Sequence, residues 1–499
     1  MTFTRRTALG VLAGSFASPR LTKADNGPFQ PTRQSLKEYQ IPEWFRDAKF
    51  GIWAHWGPQS AAEHGDWYAR NMYMQGSEQY KYHVATYAHP SHFGFKDVIR
   101  TWKGDKFDPD HLVSLYRKAG AKYFVSMGVH HDNFDLWNSK HTRWNAVNMG
   151  PRKDIVGAFR QAAMREGLKF GVSEHLWISY KWFAVSHGAD KTGPMAGVAY
   201  DGQDPQNADL YHEAACAPFG QRELEWGAEG IPESWRQHWL LRITDLVDQY
   251  QPDLLYTDGA LPFEEYGLRL VSHHYNESAR RNGGKVEAVY TSKRREDCEA
   301  GTCVLDVERG IVDRIWPTAW QTDTCVGDWH YRRGQHYKSP KTVIDMLCDI
   351  VSRNGNLLLN FPLPNSGEPD AEELRILSAI TDWMAVNAEG IHGSRPWKVF
   401  GEGPGTQVKA DAAFNEGGRK DLTAADIRFT TKAGKLYAFV MGTPQDEVHI
   451  QSVKQPVEFV EMLGYKGSVP WRQGPGGLAV SVPPVLPSQH AVTLKITLS

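Results

Sequence analysis

The chain has 499 residues, of which 41% are hydrophobic and 23% are charged, and these fractions are typical of a folded globular protein. Its formal net charge is only −2, from 56 Lys and Arg against 58 Asp and Glu. This balance argues against a nucleic-acid partner, whose phosphates would call for a basic surface. The aromatic fraction of 12%, with 18 Trp, suits sugar binding and the filling of a large core equally well.

The first 24 residues have the pattern of an export signal. Arg5 and Arg6 precede a short apolar run at 8–17, and a polar stretch follows up to residue 24. The run is shorter than the roughly 20 residues that span a bilayer, and a charged start with a short apolar middle is typical of a signal peptide. The twin arginines favour a twin-arginine signal and a periplasmic or secreted protein. The alternative is a frayed, weakly apolar tail. No other segment is predicted to span a membrane.

Residues 35–397 alternate between short β-branched or aromatic runs and helical segments, the pattern of repeated βα units. Helices are predicted after Asp154, after Ser339-Pro340, and at 235–250 and 372–387, because capping residues precede apolar positions at helical spacing. The predicted strands lie at 50–56, 122–129, 168–176, 254–258, 285–291, 303–308, 319–324 and 356–362. Eight strands with intervening helices predict a (β/α)8 TIM-like barrel.

The pattern changes after residue 397. Glycine-rich stretches alternate with strand-like runs at 436–441, 448–451, 457–463, 478–482 and 491–498, and no convincing helix is evident. This predicts an antiparallel β-sandwich domain at 398–499. We expect this domain to pack against the barrel rather than to bind carbohydrate, because it shows no clear aromatic platform.

The five cysteines have no zinc-binding spacing, because the chain contains neither a CxxC pair nor a Cys/His cluster. Cys298 and Cys303 are the closest pair and could form a disulfide after export. The odd count leaves at least one thiol free, and most of the cysteines are expected to be small buried residues.

Polar or aromatic side chains stand at the ends of nearly all the predicted strands, where barrel enzymes bind their substrates. They are His55, His130, His131, Glu174, Asp258, Lys293, Glu308 and Trp320. A lone histidine at one strand end would more often be a core residue. The convergence of so many such side chains predicts an active or binding site at this end of the barrel.

Two kinds of chemistry suit this set of residues. Metal-assisted hydrolysis would use His and Asp as ligands. However, His130 and His131 are adjacent, so they would face opposite sides of a strand unless the strand ends there. Glycoside hydrolysis needs two carboxylates and no metal or other cofactor, and Asp258 and Glu308 could face each other across the barrel mouth.

Several motifs resemble the signature segments of the α-L-fucosidases, glycoside hydrolase family 29. They occur in the family's order at 44–57, 130–137, 144–145, 257–259, 320–324 and 354–360, and the resemblance extends from about residue 35 to 397. It implies a retaining exo-glycosidase that removes terminal α-L-fucosyl residues from oligosaccharides or glycoconjugates by double displacement, through a covalent fucosyl-enzyme.

The resemblance implies that Asp258 is the nucleophile, whereas the position of the acid/base varies within the family. We assign the acid/base to Glu308, which lies at a strand end 50 residues after Asp258. A retaining mechanism needs the two carboxyl groups roughly 5–5.5 Å apart, and the acid needs a raised pKa. The alternatives for this role are Glu174, Glu287, Glu296 and Glu299.

The resemblance also implies a fucose pocket. His55, His130 and His131 match residues that hydrogen-bond the sugar hydroxyls, and Asp66-Trp67 occupies the family's Glu-Trp position. Trp320 is expected to support the apolar face around the C5 methyl group.

The chain departs from the family pattern at three places. Glu174 stands in a segment that is usually Tyr-rich. Lys293 replaces an arginine, so a compact ammonium group replaces a planar guanidinium with several donors. The segment 182–235 is an insert, which we expect to cover the site and to shape the leaving-group side. Two other functions remain open: a metal-dependent hydrolase on the same barrel, and a non-catalytic fucose-binding homologue. The sequence carries no signal for the oligomeric state.

Overall fold

The computed structural model describes residues 27–407, 413–418 and 421–499. The predicted export signal at 1–24 therefore lies outside the described residues. Within the described ranges, no helix is long and apolar enough to cross a membrane.

Eight parallel strands form the sheet of the first part of the chain, and they confirm the predicted barrel. They are β1 (Phe50–Ala54), β2 (Tyr123–Val129), β3 (Lys169–Glu174), β4 (Leu254–Thr257), β5 (Val289–Ser292), β6 (Val304–Leu305), β7 (Trp320–Cys325) and β8 (Gly355–Asn360). Their order in the sheet is β6-β5-β4-β3-β2-β1-β8-β7. An isolated parallel bridge between Asp306 and Gln321 links the two edges and nearly closes the barrel.

Fifteen α-helices occur in the described part of the chain, and most of them connect or cover the barrel strands. They are α1 (Arg33–Leu36), α2 (Glu43–Ala48), α3 (Tyr68–Asn71), α4 (Glu78–Thr86), α5 (Phe95–Thr101), α6 (Pro109–Lys118), α7 (Ile155–Arg165), α8 (Ser179–Trp182), α9 (Ala208–Tyr211), α10 (Ala217–Gly220), α11 (Glu233–Tyr250), α12 (Glu265–Arg281), α13 (Arg295–Glu299), α14 (Pro340–Ser352) and α15 (Ala371–Ile391). The side chains of Asp154 and Ser339 cap α7 and α14, as their sequence positions predict.

Two antiparallel sheets form the C-terminal part. One has the strand order β13-β16-β11-β10-β9 and the other β12-β15-β14. The strands are β9 (Arg395–Glu402), β10 (Ile427–Lys432), β11 (Lys435–Val440), β12 (Glu447–Ile450), β13 (Val457–Met462), β14 (Trp471–Gly474), β15 (Gly477–Ser481) and β16 (Val492–Leu498). Side chains from both sheets share one hydrophobic cluster, as in a β-sandwich.

The barrel strands place alternate side chains inside the barrel and against the helices. Trp53, Tyr123, Leu254, Tyr256 and Val289 belong to a cluster inside the barrel that is separate from the larger core under the helices. The same alternation, continued to the carboxyl end of each strand, decides which side chains reach the barrel mouth.

Candidate active site

A cavity of about 810 Å³ opens at the carboxyl ends of the barrel strands, and this volume is within the usual range for a small-molecule site. It contains eight of the ten predicted site residues, namely His55, Asp66, Trp67, His130, His131, Asp258, Lys293 and Glu308. It is also lined by Trp53, His175, Trp177, Trp226, Tyr256, Gly259, Ala260, Arg294, Arg309, Asp323, Trp329 and Phe414.

Glu174 and Trp320, the other two predicted residues, lie outside the cavity. Both are fully buried and point toward the helices. Glu174 accepts a hydrogen bond from Trp239 Nε1 on α11 at 3.1 Å, and Trp320 Nε1 donates to the carbonyl of Arg353 at 3.0 Å. The alternation of the strands explains both positions, because the next inward positions of β3 and β7 belong to His175 and Gln321.

Asp258 follows β4 directly and is held by backbone contacts on both sides. Its N–H donates to the carbonyl of Glu174 at 3.1 Å, and its own carbonyl accepts from Trp177 Nε1 at 2.6 Å. The next residue, Gly259, has φ +107°, and a Cβ there would meet the Trp177 ring at 3.2 Å. A side chain at position 259 would therefore disturb the turn that aims Asp258 into the cavity.

Cationic and imidazole groups surround the Asp258 carboxylate. Its Oδ2 lies 3.4 Å from His131 Nε2 and 3.3 Å from His175 Nδ1, and its Oδ1 lies 3.5 Å from Lys293 Nζ. Burial by itself would raise the pKa of Asp258, but Lys293 and the two imidazoles outweigh it and hold the pKa well below its usual range. Asp258 is therefore an ionised carboxylate at neutral pH.

Glu308 is bound to the same lysine. Lys293 Nζ lies 2.6 Å from Glu308 Oε2, and because that nitrogen is also 3.5 Å from Asp258 Oδ1, these two oxygens are at most about 6 Å apart, close to the spacing of retaining glycosidases. Burial raises the pKa of Glu308 to about 7; Lys293 opposes this rise, and the nearby Asp323 and Asp258 carboxylates add to it. At pH 7 Asp258 is therefore ionised, whereas about half of the Glu308 carboxyl groups carry a proton.

Two histidines on the cavity wall offer hydrogen bonds of opposite polarity. Burial and neighbouring imidazoles lower the pKa of His55 and of His130 well below the usual value, so both rings are neutral. His55 Nδ1 lies 3.2 Å from the acceptor oxygen Asn360 Oδ1, which leaves Nε2 as an acceptor. His130 Nδ1 lies 2.9 Å from the amide donor Gln59 Nε2, which leaves Nε2–H as a donor. A sugar hydroxyl can pair with either group.

Asp66 also lines the cavity, and its Oδ1 accepts a hydrogen bond from His330 Nδ1 at 2.7 Å. Trp67 stands beside it, and its ring centroid lies 6.0 Å from that of Trp226 in the 182–235 segment. Trp226 is 51% exposed. The insert therefore contributes an aromatic side chain to the cavity, and its effect on the leaving-group side stays a prediction.

Three further glutamates were alternatives for the acid/base, and none of them lines the cavity. The side chains of Glu296 and Glu299 on α13 are 75% and 59% exposed. Glu287 precedes β5 and pairs with Lys285. Among the predicted candidates, the structure brings Glu308 alone to Asp258 within one cavity.

Imidazole groups also meet closely enough to hold a metal ion. Ligand atoms lie within 4.8 Å of one another in two sets: His130, His131 and His175, and Asp66, His130 and His330. The exception stated for His130 and His131 applies, because β2 ends at Val129 and both side chains then line the same cavity.

Comparisons with known proteins agree with this geometry. A family model described as Alpha-L-fucosidase matches residues 16–389, and a model described as Alpha-L-fucosidase C-terminal domain matches residues 419–497. The tissue alpha-L-fucosidase of Mus musculus is 27% identical over 494 residues, which cover 94% of each chain. That of Homo sapiens is 26% identical over 493 residues, covering 94% of this chain and 92% of the relative.

Solved structures have the same fold. A Thermotoga maritima alpha-fucosidase in complex with a mechanism-based inhibitor aligns with a TM-score of 0.73 and 23% identity, over 94% of this chain and 100% of that chain. The family models together match most of the described barrel and C-terminal sheets. The chain belongs to the α-L-fucosidase family of glycoside hydrolases.

Proposed function

We propose that the protein hydrolyses terminal α-L-fucosides with retention of configuration, by double displacement. The observation that carries this proposal is the pair of carboxyl groups joined by Lys293, one with a lowered and one with a raised pKa, in a single cavity. The limit of about 6 Å between Asp258 Oδ1 and Glu308 Oε2 lies nearer to the roughly 5–5.5 Å of retaining enzymes than to the roughly 6.5–9.5 Å of inverting enzymes, which must fit a water between the two groups.

Asp258 and Glu308 divide the chemistry between them. The Asp258 carboxylate attacks the anomeric carbon while the bond to the leaving oxygen breaks, and Glu308 transfers its proton to that oxygen. In the second half, the Glu308 carboxylate takes a proton from water, and the water oxygen attacks the anomeric carbon and releases Asp258. The first step requires an ionised Asp258 and a protonated Glu308, and at pH 7 the lowered pKa of Asp258 and the raised pKa of Glu308 leave about half of the molecules in this state.

The walls of the cavity suit a single sugar ring. His55 and His130 supply an acceptor and a donor for hydroxyl groups, and Trp53, Trp177 and Trp329 supply flat apolar surfaces. Fucose presents both hydroxyl groups and an apolar methyl face, and the family relatives are named for that sugar. Fucosylated oligosaccharides or glycoconjugates are therefore the proposed substrates.

The nucleophile is tested with 4-nitrophenyl α-L-fucoside. Asp258→Asn keeps the size of the side chain but removes its charge, and we expect kcat to fall by at least about a thousandfold. Asp313→Asn is the matched control, because this carboxylate is 39% exposed and lies outside the cavity. Equal rates for Asp258→Asn and wild type would refute the assignment, and fucose binding without turnover by the wild type would indicate the non-catalytic homologue.

The acid/base is tested by chemical rescue. We expect azide to restore turnover of an activated aryl fucoside by Glu308→Ala, because the small anion can attack the fucosyl-enzyme without help from a base. Glu296→Ala is the control, since this former alternative is exposed on α13. A glycosyl azide of retained configuration is the expected product, and an unchanged rate in Glu308→Ala would move the role to another residue.

Metal-dependent hydrolysis is a second candidate function, and the two sets of converging ligand atoms favour it. Neutral imidazole is the form that binds metals, and burial lowers the pKa of His130 and His175. Chelation separates the two functions. Activity that survives chelator treatment and is lost in Asp258→Asn fits the fucosidase, whereas activity that is lost with chelator and restored by Zn²⁺ fits the second candidate.

We also propose that residues 1–24 direct export by a twin-arginine route. The support is the pair Arg5-Arg6 ahead of a short apolar run. The replacement of both arginines by lysine in the full-length chain is expected to leave the protein in the cytoplasm, as measured by fractionation of a bacterial host. Export of that variant at the wild-type level would contradict the proposal.

A further inference from the structure

A short segment that precedes β10 in the chain is bonded to the loop that carries Glu308. The N–H of Phe414 donates to the carbonyl of Glu308 at 2.8 Å, and the N–H of Glu416 donates to the carbonyl of Arg309 at 3.0 Å. Asn415 lies between them, and its side chain exchanges two hydrogen bonds with the backbone of Ile311, at 3.0 and 3.1 Å. The segment 414–416 is thus fixed to the backbone of the predicted proton donor.

Glu416 anchors this segment through its carboxylate. It accepts hydrogen bonds from Arg309 Nε at 2.6 Å, from Thr324 Oγ1 at 2.7 Å and from Lys338 Nζ at 3.2 Å. Burial would raise the pKa of Glu416, but these partners outweigh it and lower the pKa below its usual value. An ionised carboxylate with three partners of this kind makes a firm attachment to β7 and to the loop after β6.

Phe414 uses this attachment to present its side chain at the cavity. The residue lines the same cavity as Asp258 and Glu308, yet it is 66% exposed, so the hydrophobic core does not account for its position. An aromatic side chain that is held beside a binding site and left open to solvent offers a flat surface to a ligand, and sugar rings carry apolar C–H faces that pack on such surfaces.

We propose that Phe414 is the platform for the leaving group, on the assumption that the proposed function of Glu308 as proton donor is correct. Glu308 must reach the glycosidic oxygen, so the leaving group begins at Glu308. Phe414 lines the cavity and its backbone is bonded to that of Glu308, so the inference assigns its ring to the Glu308 side of the cavity. The chemical class of leaving group that fits is a pyranose or an aryl group with an apolar face.

The test compares leaving groups of different size on Phe414→Ala. We expect kcat/KM to fall about tenfold for a fucosylated disaccharide and for 4-nitrophenyl α-L-fucoside, whose leaving groups can pack on the ring. With α-L-fucosyl fluoride the change should stay within about twofold, because fluoride makes no such contact. Phe414→Trp should keep most of the activity on all three substrates.

Phe459→Ala is the matched control, because Phe459 is also exposed, at 54%, on β13 and lies outside the cavity. An equal loss on all three substrates in Phe414→Ala, or no loss on any, would overturn the inference. A wild-type protein that fails to cleave fucosyl fluoride would instead overturn the proposed function, and the inference with it.

Discussion

The replacement of Lys293 by methionine is expected to move the whole pH profile of the enzyme to higher pH. The Nζ atom lies 3.5 Å from Asp258 Oδ1 and 2.6 Å from Glu308 Oε2. A unit charge at 3.5 Å contributes between about 1 kcal/mol in water and about 5 kcal/mol at an effective dielectric constant of about 20. At 1.36 kcal/mol per pKa unit, the loss of this charge raises each pKa by about 1–4 units.

The sign is the same for both carboxyl groups, because a positive neighbour stabilises the ionised form of each. The acid limb of kcat/KM against pH follows Asp258, which must be ionised, and the alkaline limb follows Glu308, which must be protonated. Wild type should therefore lose activity as pH rises through about 7, the pKa of Glu308. In Lys293→Met both limbs should shift upward by about 1–4 units, as the two groups titrate together.

The assay is kcat/KM for 4-nitrophenyl α-L-fucoside between pH 3 and 10, with product measured after quenching in alkali. Lys293→Arg keeps the charge and should keep both midpoints close to those of wild type. Lys285→Met is a second control, since this lysine is 69% exposed and pairs with Glu287 outside the cavity. A Lys293→Met profile with reduced height and unchanged midpoints would refute the electrostatic reasoning and leave Lys293 with a purely structural or binding role.

Three further predictions concern stability and covalent structure. Gly259→Ala should lower the free energy of unfolding by about 1–3 kcal/mol through backbone strain and should also reduce kcat. Gly283 has positive φ too, but open space surrounds it. Gly283→Ala should therefore reduce thermal stability without loss of kcat. Arg242→Met leaves the fully buried Asp135 carboxylate without its ion pair. The free energy of unfolding in urea should therefore fall by about 3–5 kcal/mol. The control Arg280→Met removes an exposed ion pair and should lower it by less than about 1 kcal/mol. The sulfur atoms of Cys298 and Cys303 are 2.7 Å apart, so protein exported to an oxidising compartment should form a disulfide between these two residues. Alkylation of that protein under denaturing, non-reducing conditions should then label three thiols. Five labelled thiols would contradict this prediction.

The sequence was sufficient to predict the barrel but only part of the C-terminal sheets. All eight barrel strands were predicted, because parallel strands buried on both faces read as nearly continuous apolar runs. In the C-terminal part, β10 was not predicted although β11 was. The two strands are joined by Ala433-Gly434, both with positive φ, a two-residue hairpin turn whose glycine was the available signal. The short β14 is mostly exposed, so it has no hydrophobic pattern to detect.

Site residues could be predicted where their position at the end of a strand is enough to place them. They could not be predicted where placement depends on which face of the strand the side chain occupies, or on contacts with distant segments. On β3 the inward positions belong to the small residues Gly171 and Ser173 and the outward ones to Phe170 and Val172, so this pattern could have selected His175 in place of Glu174. Other cavity residues, such as Trp226, Trp329 and Phe414, come from loops and from the segment before β10. No local pattern places such residues, because their positions depend on contacts between segments far apart in sequence.

The division of roles between two similar carboxyl groups follows from what surrounds them rather than from their chemical type. Lys293 Nζ lies within 4.0 Å of four carboxyl groups, those of Asp258, Asp306, Glu308 and Asp323, and one ammonium cannot balance four negative charges. Burial and the nearby Asp323 carboxylate raise the pKa of Asp306 well above its usual range, which removes one charge. Asp258 also faces two imidazoles, which hold its pKa down, so it keeps its charge. Glu308 faces Asp323 and Asp258, and these carboxylates and its burial raise its pKa to about 7. The nucleophile and the acid are thus assigned by one shared cation and by the neighbours that only one of them has.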